Sequence, residues 1–249
     1  MPLLKRHKYI LMSLGIYWPA LFVLTHIPVP QIAGQSGMSD KTMHLLAYLI
    51  LVFFVWLAVS PYEKVRWNKP KTWIILAIVV CYGAFDEWLQ SRMGRQMELL
   101  DLVSDFKGAA IGLVILSILS FWPALLAVSA IFIFAITNLS HLLGLYPQYH
   151  LNTVFHLTAY SAAALIWIQY LDRKPGLERH QPLWPLWAIC PPLLLLGAVL
   201  GGSVYYDKPI WWVDVATALF GIASSTLISI VTVRLARRMG RGTCQYDSQ

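Results

Sequence analysis

The stretch Asp40-Lys41-Thr42-Met43-His44-Leu45-Leu46-Ala47-Tyr48 returns later in the chain as Asn152-Thr153-Val154-Phe155-His156-Leu157-Thr158-Ala159-Tyr160. Both copies read His-Leu-x-Ala-Tyr, which sets the His and the Tyr one helical turn apart on one face. A second pair repeats in step: Asp101 and Gly108 return as Asp214 and Gly221, with the same spacing of seven. Arg95 and Lys208 fall at that same offset. An internal repeat fixes the architecture before any single residue does. It also shows which polar groups one copy holds and the other lacks.

The composition excludes a soluble domain. The chain has 249 residues, 58% hydrophobic and 12% charged, with a mean hydropathy of +0.60; soluble domains carry about 25% charged residues. Apolar runs lie near 9–27, 42–60, 72–90, 102–120, 122–140, 153–171, 182–202 and 210–233. Most approach the roughly 20 residues that cross about 30 Å of hydrocarbon at about 1.5 Å each. The expectation is an all-α polytopic transmembrane helix bundle of about eight spans, built as two four-helix repeats, 1–121 and 122–249. An even number of spans per repeat gives both copies the same orientation, so the repeats are parallel rather than inverted.

Basic residues set the orientation. Lys5, Arg6 and Lys8 precede the first run, and Lys64, Arg66, Lys69 and Lys71 separate the second from the third. Arg173, Lys174 and Arg179 separate the sixth from the seventh, and Arg234, Arg237, Arg238 and Arg241 follow the eighth. The other side holds only Lys41, Arg92, Arg95 and Lys208. Both termini are therefore expected to be cytoplasmic. The formal charge of +7 reports this topology and an attraction to anionic membrane lipids, not a nucleic-acid partner. A basic start followed by an apolar run is also the pattern of a cleaved leader. Thr25-His26 resembles Ser140-His141 at the end of the fifth run, so the first run reads as a retained helix. Cys81, Cys190 and Cys244 have no metal-site spacing and read as small hydrophobes. Tyr17-Trp18, Trp184, Trp187, Tyr205-Tyr206 and Trp211-Trp212 mark expected membrane interfaces.

The polar residues of the first copy gather on one side. Asp40, Lys41, His44 and Tyr48 open the second run, Glu87 and Gln90 close the third, and Arg95 follows in the loop. Asp101, Ser104, Asp105 and Gly108 open the fourth at i, i+3, i+4 and i+7. Each helix thus carries a polar stripe at one depth, and lipid is the costly alternative to convergence.

The series D-K-x-x-H-x-x-x-Y, E-x-x-Q-x-x-x-x-R and D-x-x-x-[ND]-x-x-G resembles the VanZ-like family of bacterial membrane proteins. It stands here as Asp40-Lys41, His44 and Tyr48, then Glu87, Gln90 and Arg95, then Asp101, Asp105 and Gly108, within about residues 9–120. Asp105 departs from the family, which typically has Asn there. The second copy matches less fully: it has Thr153 for Lys41, Leu200 for Glu87, Ser203 for Gln90 and Ala218 for Asp105. The resemblance implies a bacterial cytoplasmic-membrane location and a cell-envelope role, in a family named for teicoplanin resistance. It implies no particular reaction.

From the residues, Lys41 and Arg95 are expected to hold an anionic group, with Arg offering a bidentate fork. Asp40, Glu87, Gln90, Asp101 and Asp105 would supply hydrogen bonds, and His44 with Tyr48 would orient or shuttle a proton. His44 with Glu87 is also the candidate acid–base pair of an enzyme on a lipid-linked intermediate. The plainer alternative is a satisfied ion network that ties three helices together. No metal or other cofactor is expected, because Lys41 and Arg95 oppose a cation. Gly108, Gly112 and Gly221 read as close helix-packing positions. His156 and Tyr160 read as structural, and His26 and His141 as interfacial. The expected partners are membrane lipids, a lipid-linked cell-wall precursor or an envelope membrane protein. A transporter or flippase stays open, although the cytoplasmic halves of the runs carry no charge.

Overall fold

A computed structural model describes residues 3–26, 39–61, 63–92, 98–139, 151–174, 181 and 183–244. Arg95 and His141 lie outside the described residues, as do the side chains of His26 and of the basic tail at Arg234, Arg237, Arg238 and Arg241. Among the described residues the protein is all helix. The first four helices are α1 (Leu3–His26), α2 (Asp40–Val59), α3 (Pro70–Arg92) and α4 (Leu99–Ile118). Then follow α5 (Phe121–Phe134), which runs into a π-helical turn at Ala135–Leu139, α6 (Leu151–Leu171), α7 (Trp184–Tyr205) and α8 (Trp212–Cys244).

Among the described residues six stretches are long and apolar enough to cross a membrane: Asp40–Val59, Pro70–Arg92, Phe121–Leu139, Leu151–Leu171, Trp184–Tyr205 and Trp212–Thr232. The chain is a multi-pass membrane protein. The sequence led us to expect about eight spans, and two helices fall outside the six. One, α4, carries Asp101, Asp105 and Lys107 within its 20 residues, too much charge for a plain apolar span. The other is α1, 24 residues long, several of whose side chains lie outside the described residues. Large apolar side chains such as Ile16, Ile74, Leu99, Leu194 and Leu227 are exposed, as a lipid-facing surface requires.

The chain packs as two compact units, Met1–Val128 and Ser129–Gln249. The division falls inside α5, a few residues past the repeat boundary read from the sequence. Ala124 N–H bonds to the Ser120 carbonyl at 2.9 Å, so the short link at 119–120 leaves the start of α5 with the first unit.

In the first unit the most extensive helix pair is α2 with α4. Gly108 faces the Leu45 carbonyl, and Gly112 faces the Val52 side chain and the Leu49 carbonyl. A Cβ at either position would run into the opposing helix. The far end of this pair is pinned by the linker, where Lys64 Nζ donates to the Ile118 carbonyl at 2.6 Å and Val65 N–H to the Leu116 carbonyl at 3.1 Å. At the other end Ser39 caps α2, its Oγ accepting from Thr42 N–H at 3.2 Å. These anchors hold the first turns of α2 and α4 side by side. In the second unit α6 and α8 form the corresponding pair, with Gly221 facing the Leu157 carbonyl and Ser161 Oγ.

Candidate functional site

The ends of α2, α3 and α4 that carry the polar stripes meet in the first unit. His44 is at its centre, 6% exposed. Its Nδ1 is 2.9 Å from Asp105 Oδ1, and its Nε2 faces Glu87 Oε1 at 3.8 Å. The imidazole therefore lies between a carboxylate of α4 and a carboxylate of α3. Asp105, Glu87 and Asp101 are all buried. Asp40 and Asp101 sit one turn above His44 and Asp105 on their own helices. One ring nitrogen of His44 and one carboxylate oxygen each of Asp40 and Asp101 lie within 4.8 Å of one another.

Among the described residues Glu87 Oε1, Asp101 Oδ1, Asp105 Oδ2 and the Tyr48 hydroxyl are buried with no hydrogen-bond partner. Tyr48 is 1% exposed, and it approaches α3 where Gly83 leaves room. A Cβ on Gly83 would lie 2.6 Å from Asp105 Oδ2 and 3.2 Å from the Tyr48 hydroxyl. Gly83 is a residue the sequence reading passed over. Its missing side chain lets the cluster close against α3.

Two residues of the expected set point elsewhere. Lys41 reaches outward, its Nζ 3.0 Å from Glu98 and 3.9 Å from Asp101 Oδ1, with its side chain 43% exposed. Gln90 gives its amide to Asp86 Oδ2 at 2.9 Å, and Asp86 also accepts from Thr25 of α1 at 3.3 Å. Gln90 thus belongs to an α1–α3 contact beside the cluster. Glu98 and Asp86 were not among the expected site residues. The only sequence signals for them were the i, i+3 step from Glu98 to Asp101 and the i, i+4 step from Asp86 to Gln90.

Outside the cluster, α2 and α4 frame an open groove of about 270 Å³ lined by Lys41, Thr42, Leu45, Leu100, Val103, Ser104 and Lys107. Each helix contributes both a lysine and aliphatic side chains to the lining. Lys107 is exposed.

The second unit keeps the frame with different contents. His156 Nδ1 donates to the Asn152 carbonyl at 2.8 Å and the ring stacks on Tyr160 at 6.1 Å between centroids. Its electrostatic partner is Asp214. At the position matching Asp105 stands Ala218, fully buried. A separate polar contact closes the α7 side: Ser203 Oγ donates to Asn138 Oδ1 at 2.7 Å, and Asn138 Nδ2 donates to the Val199 carbonyl at 3.1 Å. Asn138 sits in the π-helical turn, and no motif had singled it out. In the loop between α7 and α8, partial burial holds the Lys208 ammonium below its ordinary range.

Comparison with protein-family models, with curated proteins and with solved structures finds no match for this chain.

Proposed function

We propose that this protein is a VanZ-like cell-envelope membrane protein whose first unit binds the anionic head group of a lipid-linked or cell-wall-related molecule. The observation that supports this best is the groove between α2 and α4. Two ammonium groups, Lys41 and Lys107, and two hydroxyls, Thr42 and Ser104, share it with Leu45, Leu100 and Val103. Such a lining suits a phosphate or carboxylate joined to an apolar chain: the lysines meet the charge, and the leucines and valine meet the hydrocarbon. In this reading the protein crosses a bacterial inner membrane eight times, with α1 and α4 as the further spans and both termini cytoplasmic. The groove and cluster then face the extracytoplasmic side, and a link to teicoplanin resistance follows from the family resemblance.

Native mass spectrometry in mild detergent tests the reading. Wild-type protein is expected to retain an anionic lipid or lipid-linked precursor, and the K41Q/K107Q double variant to lose it while staying monodisperse. Equal retention by both proteins, or none by the wild type, refutes it.

A second reading, an enzyme acting on a lipid-linked intermediate, is favoured by one contact set. A histidine held at Nδ1 by Asp105 with Glu87 facing Nε2 is arranged for proton transfer. Turnover by purified protein, lost in H44A and E87Q alike, would distinguish it from binding alone.

A further inference from the structure

We propose that the His44 cluster is a binding site for one divalent first-row cation, Zn²⁺ or Mn²⁺, with His44 Nε2, Glu87, Asp101 and Asp40 as its ligands. Glu87, Asp101 and Asp105 are each at most 4% exposed. Against these carboxyls the described part of the cluster sets His44 and the outward-leaning Lys41. An uncompensated buried carboxylate costs several kcal/mol even after relaxation. A divalent ion supplies the missing positive charge at the place where the oxygens converge.

Geometry makes the second case. Carboxylate oxygens and imidazole nitrogens bind Zn²⁺ at about 2.0–2.2 Å, so ligand atoms on one ion lie about 3–4 Å apart. The ligand atoms of Asp40, His44 and Asp101 already lie within 4.8 Å of one another. Glu87 Oε1, 3.8 Å from His44 Nε2, is at the separation two ligands of one ion adopt. Asp40, His44 and Asp101 form the mutually close set, and Glu87 adjoins it through His44.

The third observation concerns the oxygens themselves. Glu87 Oε1 and Asp101 Oδ1 are buried with no hydrogen-bond partner among the described residues. Buried polar atoms are otherwise almost always paired. Both belong to side chains aimed into the cluster, where an ion would satisfy them together.

Asp105 takes a different role. Its Oδ1 holds His44 Nδ1 at 2.9 Å, which leaves Nε2 as the nitrogen with its lone pair available. A carboxylate on the far nitrogen of a ligand histidine fixes the tautomer and raises the basicity of the ligating nitrogen. Asp105 is thus a positioning residue rather than a ligand. An imidazole with carboxylates is a donor set for Zn²⁺ or Mn²⁺, whereas Cu(I) wants sulfur and Mg²⁺ wants oxygen alone. The lysine objection raised by the sequence weakens, because Lys41 is engaged with Glu98 at 3.0 Å and stays 43% exposed.

The test uses tag-free full-length protein in nanodiscs, stripped with chelator and titrated with Zn²⁺, Mn²⁺ and Co²⁺ separately. The wild type is expected to take up about one ion per chain, to unfold at a higher temperature with the ion than without, and to give a visible Co²⁺ spectrum of a nitrogen–oxygen site. D101N and H44Q should each weaken binding at least tenfold. D105N, which removes no ligand, should weaken it by about tenfold to a hundredfold. Zn²⁺-dependent thermal stabilisation, read on each variant that remains folded, separates lost binding from lost fold. The proposal is overturned if monodisperse wild type takes up no ion, or if uptake survives all three substitutions. Uptake by a protein that retains no anionic lipid would uphold this inference while refuting the head-group reading.

Discussion

Replacing Gly108 by Ala tests whether the α2–α4 contact holds the first unit together. A Cβ at Gly108 is driven into the Leu45 carbonyl, with Leu45 C and Leu49 N each only 3.0 Å away. All three are backbone atoms of α2, so no side chain can rotate out of the way. Carbon contacts settle at about 3.5–4.0 Å, so α2 and α4 must part by on the order of an ångström. Overpacking of this kind costs about 1–3 kcal/mol. It is opposed by the intrinsic preference of a helix for Ala over Gly, about 1 kcal/mol. Gly197 provides the reference, because its position in α7 has nothing within 4 Å and G197A expresses the propensity gain alone. Unfolding of both variants by SDS titration in mixed micelles, followed by tryptophan fluorescence, gives the difference directly. We expect G108A to fall below G197A by about 1–3 kcal/mol, and His44 to lose its 2.9 Å contact with Asp105 as the helices separate. If G108A is as stable as G197A, the close approach of α2 and α4 is not what the glycine serves.

Two further substitutions probe buried polar atoms. Y48F removes a hydroxyl that is buried without a hydrogen-bond partner among the described residues; the variant should be neutral or more stable by up to about 1–3 kcal/mol, and a clear loss of stability would mean the hydroxyl is paired. In the second unit, N138A removes one of the two acceptors of Ser203 Oγ, which also donates to the Val199 carbonyl at 3.1 Å, and one of the two donors to that carbonyl, at a cost of about 0.5–1.5 kcal/mol. Adding S203A should then cost little more, and additive losses in a double-mutant cycle would show that the three groups do not act as one network.

Helical periodicity made a large part of this site readable in the sequence. The i, i+4 steps from His44 to Tyr48 and from Asp101 to Asp105 put each pair on one face, and the packed helices bring those faces together. Depth was readable too, since the polar residues cluster at the same ends of their runs. What a single helix cannot disclose is how far it is turned relative to its neighbours. Asp86 and Glu87 are adjacent and so point about 100° apart, by the pitch of the helix. Glu87 meets His44 of α2, whereas Asp86 meets Gln90 and Thr25. Nothing in the spacing told that Glu87 would enter the cluster while Gln90 turned to Asp86 beside it. Asn138 escaped for a related reason: a π-helical turn breaks the period that would have assigned it a face. The span count depended on charge as much as on length, and α4 buries two of its three charged residues, Asp101 and Asp105, where hydropathy alone counts them as a fault.

The second unit bears on what the carboxylates of the first are for. Its α6–α8 pair is held as α2–α4 is, with a glycine, Gly221, against the opposing backbone at Leu157. It keeps His156 over Tyr160, yet has Leu200 in place of Glu87 and a fully buried Ala218 in place of Asp105. His156 satisfies its Nδ1 on its own helix, at the Asn152 carbonyl, 2.8 Å away. A helix pair of this kind therefore packs without the paired acids, and replacing buried ions by apolar groups of similar volume is commonly neutral or stabilising. If packing were their only task, the first unit would gain by the same replacements. Glu87 and Asp105 impose a desolvation cost that the fold of the second unit avoids, and they leave oxygens without hydrogen bonds among the described residues. A cost carried by one copy and shed by the other points to a ligand that only the first copy meets.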